Sequence, residues 1–169
     1  MKRRALGISI HTGWGAAVLV AGTPRKPEIL ANERIRILGD DERFCYHMAA
    51  EMKRVEAASW LLKLRSKAVA NAREALAPLI AEAEACALVA KPGDPGPLEE
   101  VLAAHPRIHM AEGCFYRDVL AEACTIPVRI VPPKALDHSK LGKIAPPPWG
   151  RDQRLAALAA WSALGGKKG

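Results

Sequence analysis

Two acidic residues stand where a carboxylate has chemistry open to it. Asp152 opens a helical stretch, and Glu112 precedes Gly113 and another. At a helix start a carboxylate can meet free amides and the positive end of the dipole, ligate a divalent cation, or act as general acid or base. His11 lies in the run His11-Thr12-Gly13-Trp14-Gly15, where two glycines allow backbone amides to approach an anion. Ser9 lies two residues before it. Lys91 ends an apolar run, and Arg117, Arg151 and Arg154 stand beside the acidic positions. Glu112, Asp152 and His11 are therefore the candidate catalytic residues; Ser9, Thr12, Lys91, Arg117 and Arg151 are the candidate binding residues.

The remaining chemistry-bearing residues are more scattered. His105 and His109 flank Pro106, which argues against a shared helix face, so a zinc site built on them would need distant partners such as Cys114 and Glu112. His47 and Glu51 are spaced as a surface pair on a helix. Cys45, Cys86, Cys114 and Cys124 form no C-x-x-C pair and read as buried, reduced thiols. Trp60 and Trp161 read as packing residues, whereas Trp14 and Trp149 sit in glycine- or proline-rich turns that could present them to a ligand.

The elements that must position these groups belong to one domain spanning 1–169. The chain has 169 residues, half of them apolar, enough for a core without disulfide or metal staples. No run of about 18 apolar residues predicts a membrane span, and the basic start does not lead into a leader-like segment. The expectation is a cytoplasmic protein. Lys2, Arg3, Arg4, Lys167 and Lys168 supply five charges of the net +7, so the body is only weakly basic.

Residues 4–10 and 16–20 read as strands joined by the glycine-rich turn. In the next segment Ile29, Ala31, Glu33, Ile35 and Ile37 share one face by alternation, predicting a third, half-exposed strand. Asp40 or Asp41 can cap the helix that follows. Residues 42–83 contain no glycine, and Val55, Ala58, Leu62, Val69, Ala72, Leu76 and Leu79 recur at helical spacing. An unbroken helix there would reach about 63 Å, far beyond a domain with a radius of gyration of about 15 Å, so a break near residue 53 is expected. Residues 86–90 read as a strand buried on both faces, 92–112 as an insertion with a short helix and an extended piece at 107–110, and 114–124 as a helix. A strand at 128–131, a proline-rich loop at 132–148 and a helix at 152–164 complete the chain.

Three strands on short turns, followed by alternating helices and strands, imply an antiparallel meander extended by parallel strands through right-handed crossovers. The predicted fold is α/β, a five-stranded mixed sheet in the order 3-2-1-4-5 with helices on both faces. This order resembles the ribonuclease H-like superfamily, which includes RuvC-type resolvases. In that superfamily the first strand commonly reads Gly-x-Asp-x-Gly-Thr. Here Gly7-Ile8-Ser9-Ile10-His11-Thr12 matches the first glycine and the threonine, with Ser9 for the aspartate and His11 for the second glycine.

The resemblance implies nucleic acid as a partner and magnesium-dependent nuclease chemistry, with carboxylates at the ends of the first and fourth strands and on the last helix. Ser9 and Lys91 occupy two of those places, which predicts no tight protein-held metal pair. If the chain is an enzyme, it is a nuclease-like hydrolase. Ser9, His11, Lys91 and Asp152 are expected in one cleft, with Glu112 entering from the insertion. Two readings stand open: a nucleic-acid-binding protein or diverged nuclease, and a small-molecule, nucleotide or anion binder using His11, Thr12, Lys91 and Arg151. A structural protein dimerising through its long helical segment is a third.

Overall fold

β1 (Arg3–His11) and β2 (Trp14–Thr23) form an antiparallel hairpin whose register runs from Arg3 opposite Gly22 to His11 opposite Trp14. Gly13 holds φ at 87°, a left-handed position that glycine adopts without a Cβ clash. The computed structural model describes residues 3–140 and 149–165; the rest of the proline-rich loop and the basic ends, Lys2, Lys167 and Lys168, lie outside them. β3 (Lys26–Arg36) pairs antiparallel with β2, β4 (Ala85–Val89) lies parallel to β1, and β5 (Val128–Val131) lies parallel to β4. The sheet order is β3-β2-β1-β4-β5, as the succession of elements predicts.

β3 departs from simple alternation. Its register shifts opposite Leu19 and Val20, where Leu30 is passed over and stands exposed. The extra residue inverts the facing of what precedes it. Ile29 packs on one side of the sheet, and Ala31 and Ile35 pack on the other, so the single apolar face expected from Ile29 to Ile37 is split in two.

The helical region breaks as expected, into α1 (Cys45–Ala50) and α2 (Arg54–Ile80), with a turn at 51–53. Neither Asp40 nor Asp41 caps it: residues 39–43 form turns on the Gly39 carbonyl, and α1 starts later, at Cys45, without a side-chain cap. The buried stripe of α2 is Ala57, Leu61, Leu64, Ala68, Val69, Ala72, Leu76 and Leu79, whereas Val55, Ala58 and Leu62 face outward. Of the expected stripe, Val69, Ala72, Leu76 and Leu79 are buried, so it holds over the second half of α2 and is rotated from the packing face only in the first half.

The insertion also differs from expectation. After α3 (Leu98–Leu102), one continuous helix, α4, runs from His105 to Ala123, where an extended piece and a later helix were expected. Pro106 lies in its first turn. There the missing N–H would have had no helical partner, so proline starts this helix instead of preventing it.

α5 (Arg151–Leu164) covers the opposite face, through Leu155, Ala156, Ala159, Ala160 and Leu164 against Ala5, Val18, Val20, Ala87 and Val89. Its approach to β1 is set by Gly7. A Cβ built there would lie 1.9 Å from the Ala156 carbonyl oxygen and 2.7 Å from the Ala160 nitrogen. Four helical residues rise about 6 Å and two strand residues about 6.6 Å. The contact at Gly7 is therefore followed one step along by Asp152 above Ser9. α1, α2 and α4 bury the other face over Leu6, Ile8, Leu19 and Leu88. Among the described residues no helix is long and apolar enough to cross a membrane.

Candidate functional site

The carboxyl edge of β1 carries a polar cluster on the α5 side. Ser9, His11, Trp14, Arg34 and Arg36 share this face, because Ser9 opposes Ala16, which opposes Arg34, and His11 opposes Trp14, which opposes Arg36. Asp152 Oδ1 accepts a hydrogen bond from Ser9 Oγ at 3.2 Å and lies 2.8 Å from His11 Nε2. The His11 ring stacks on Trp14 with centroids 4.4 Å apart and planes 3° from parallel. Arg34 places its guanidinium 4.0 Å from the indole centroid. The chain Arg34–Trp14–His11–Asp152–Ser9 thus runs across β3, β2, β1 and α5. Trp14 is held between a cation and an imidazole, so it is part of the construction of this face.

The other predicted site residues divide. Arg151 is exposed at the start of α5 and lines a shallow cleft of about 280 Å³ with His138, Trp149, Arg154 and Leu155. Arg154 Nε is buried with no hydrogen-bond partner among the described residues. Thr12 stays in the hairpin turn. Lys91 is exposed and lines a different cleft, of about 430 Å³, with Ile10, Val89, His109, Met110 and Cys114. Among the described residues it pairs with neither Asp152 nor Glu112. Arg117 is committed to architecture: it donates to Asp118 at 2.7 Å, to the Gly93 carbonyl at 2.9 Å and to the Lys91 carbonyl at 3.3 Å, tying α4 to the loop after β4. Asp94 in that loop accepts from the Gly96 amide.

Glu112 does not join Asp152. It lies two turns inside α4 and is buried on the opposite face of the sheet, because the helix starts at His105 and carries it inward against α1. Its Oε1 accepts from His47 Nδ1 at 2.9 Å and from the His47 amide at 3.4 Å. His47 therefore pairs with Glu112, and the expected surface pair with Glu51 is replaced.

His105 and His109 do share a face of α4, with their Nε2 atoms 2.9 Å apart, and His47 packs edge-on against both rings. This cluster was not among the predicted site residues. The i, i+4 spacing of His105 and His109 was its visible signal, read the wrong way because of Pro106; the approach of His47 from α1 has no local signal at all.

The cysteines are buried and unlinked. Burial, aided by the nearby charge of Glu112, pushes the Cys45 thiol up to about 12. Cys86 and Cys124 lie Sγ to Sγ at 3.8 Å in the core, and the contact raises the Cys86 thiol well above its usual range.

No family model matches the sequence, and no curated protein sequence matches it. Solved structures do share its fold. A Thermus thermophilus RuvC chain in complex with a Holliday junction substrate aligns over 95% of this chain and 91% of that one, with a TM-score of 0.55 at 12% identity. Another Thermus thermophilus RuvC structure aligns over 94% and 92%, with a TM-score of 0.51 at 14% identity. The fold is ribonuclease H-like, of the RuvC kind.

That fold family implies a pair of divalent ions at the carboxyl edge of β1 and β4, and the donor set here does not fit one. Of the positions concerned, Ser9 lies two residues before the end of β1, Lys91 follows β4, and Glu112 is on the other face. Asp152 alone supplies a carboxylate, and its Oδ1 already meets Ser9 and His11. Each Mg²⁺ held by protein usually needs one or two carboxylates.

Proposed function

We propose that this chain binds nucleic acid on the α5 side of the sheet, at the carboxyl edge of β1, without a pair of divalent ions and without hydrolysing it. The observation that carries the reading is the arrangement of arginines around a single acid that is paired with His11 and Ser9. Arg36 and Arg34 lie at one end, His11 at the centre, and Arg151 and Arg154 at the start of α5. Among the described residues, Arg34, Arg36 and Arg151 have no carboxylate partner, which leaves them available to phosphates. The RuvC structure of the same fold contains a Holliday junction substrate, which supports nucleic acid as the ligand class.

Binding of labelled four-way, duplex and single-stranded DNA, followed by fluorescence anisotropy in EDTA across a salt series, tests this. The expected result is metal-independent binding whose log–log salt slope falls by about 2 when Arg34 and Arg36 are both replaced by Ala, roughly one unit per phosphate contact. Absence of binding to every probe at low salt would refute it. Strand cleavage in Mg²⁺ or Mn²⁺ that disappears in Asp152→Asn would replace it with a hydrolase.

A further inference from the structure

We infer that His47, His105 and His109 hold a single transition-metal ion of the zinc class, with Glu112 behind His47 as the carboxylate that orients it. The inference goes beyond the nucleic-acid reading and is independent of it, since the cluster lies on the α1/α4 side of the sheet and shares no residue with the Asp152 site.

The three histidines each present one ring nitrogen, and these atoms all lie within 4.8 Å of one another. Ligands on a tetrahedral Zn²⁺ at about 2.0–2.1 Å are spaced about 3.4 Å apart. The 2.9 Å approach of His105 Nε2 to His109 Nε2 lies inside that spacing, so a small opening of this pair and a small advance of His47 complete three corners. Two of the ligands come from one turn of α4, whose first turn Pro106 preorganises, and the third from α1.

Glu112 distinguishes this cluster from histidines that merely meet at a surface. Its carboxylate is in the protein interior, and among the described residues no Lys or Arg pairs with it. By accepting from Nδ1–H of His47, it fixes the tautomer that leaves the Nε2 lone pair free for a metal. A carboxylate on the far nitrogen orients a metal-binding imidazole and raises its basicity. The buried carboxylate also offsets part of the charge of a divalent cation.

Imidazole donors select zinc, cobalt, nickel or copper over magnesium or calcium. Among the described residues no fourth side chain joins the group, and the nearby Cys114 thiol is directed at the Gly93 carbonyl instead. His109 also lines the 430 Å³ cleft with Lys91 and Met110, so the fourth position faces space that water can enter. Three protein ligands and one exchangeable water form the open type of zinc site.

The test uses tag-free full chain freed of metal by chelator, titrated with Co²⁺ by visible absorption and with Zn²⁺ by competition against a chromophoric chelator. One ion per chain is expected, with the intense d–d absorption of four- or five-coordinate cobalt. His105→Ala and His109→Ala alter exposed residues that the core does not need, and each should weaken binding at least about 100-fold. Glu112→Gln should weaken it about 10- to 100-fold with circular dichroism unchanged; if that variant misfolds, the two histidine variants decide alone. Absence of stoichiometric binding, or binding retained in the His105→Ala/His109→Ala double variant, overturns the proposal. So does binding lost in Asp152→Asn, which would move the ion to the other face.

Discussion

Two histidine–carboxylate pairs of almost equal length stand at the same edge of the sheet, on opposite faces. His11 and Asp152 lie 2.8 Å apart with side chains 42% and 29% exposed; His47 and Glu112 lie 2.9 Å apart at 30% and 4%. Distance alone would call them equivalent, and burial separates them. Asp152 remains partly exposed, accepts from Ser9 Oγ beside His11, and has Arg151 and Arg154 on its own helix. Glu112 has surrendered its water to the core and depends on His47. The first pair lies in a partly solvated, arginine-lined surface; the second lies beneath the imidazoles of His105 and His109.

The largest expected effect comes from the contact that builds the α5 face. Gly7→Ala forces a methyl group into the Ala156 carbonyl and should cost about 3 kcal/mol or more, at the upper end of overpacking because backbone cannot rotate away. Urea unfolding measures it, and a cost under about 1 kcal/mol would show that α5 is free to lift from β1. Next, His47→Ala strands a buried carboxylate and should destabilise by about 2 kcal/mol, whereas His11→Ala should cost less than about 1 kcal/mol because both partners are partly solvated. Equal losses in the two variants would erase the contrast drawn from burial. Smaller again is Arg34→Ala, expected to leave stability within about 0.5 kcal/mol and to lower the DNA salt slope by about 1; an unchanged slope would remove Arg34 from the phosphate-binding surface.

The smallest effect concerns Cys45. Its folded pKa is raised to about 12 by burial and by Glu112. The folded state therefore favours the protonated thiol, so this contribution to stability is whole below the unfolded value of about 8.5 and fades as pH rises through the folded one. Alkylation of the native protein at pH 8, read by mass spectrometry, should spare Cys45; rapid labelling there would show that the α1/α4 side opens.

The topology was legible because the order of short apolar runs and turns restricts a sheet to few arrangements, and of the four residues expected in one cleft Ser9, His11 and Asp152 meet there while Lys91 lines a different one. Three local features escaped it. The bulge that turns Ile29 to the α5 side is a property of pairing, invisible in the alternation of β3 itself. Pro106 reads equally as a helix breaker and a helix starter, and the wrong choice separated His105 from His109 and put Glu112 in the wrong cleft. His47 reaches Glu112 across 65 positions through the packing of α1 on α4, and no spacing rule within either segment reports such a meeting.

The central claim is that the two faces have divided the chemistry, with cation binding on the α1/α4 side and phosphate binding on the α5 side. Paramagnetic Co²⁺ added to uniformly ¹⁵N-labelled protein locates the cation directly. The account predicts that amide broadening and pseudocontact shifts at one equivalent centre on His47 and on residues 105–112, leaving Ser9, His11 and the first turn of α5 sharp. Effects centred instead on Ser9 and Asp152 would contradict it.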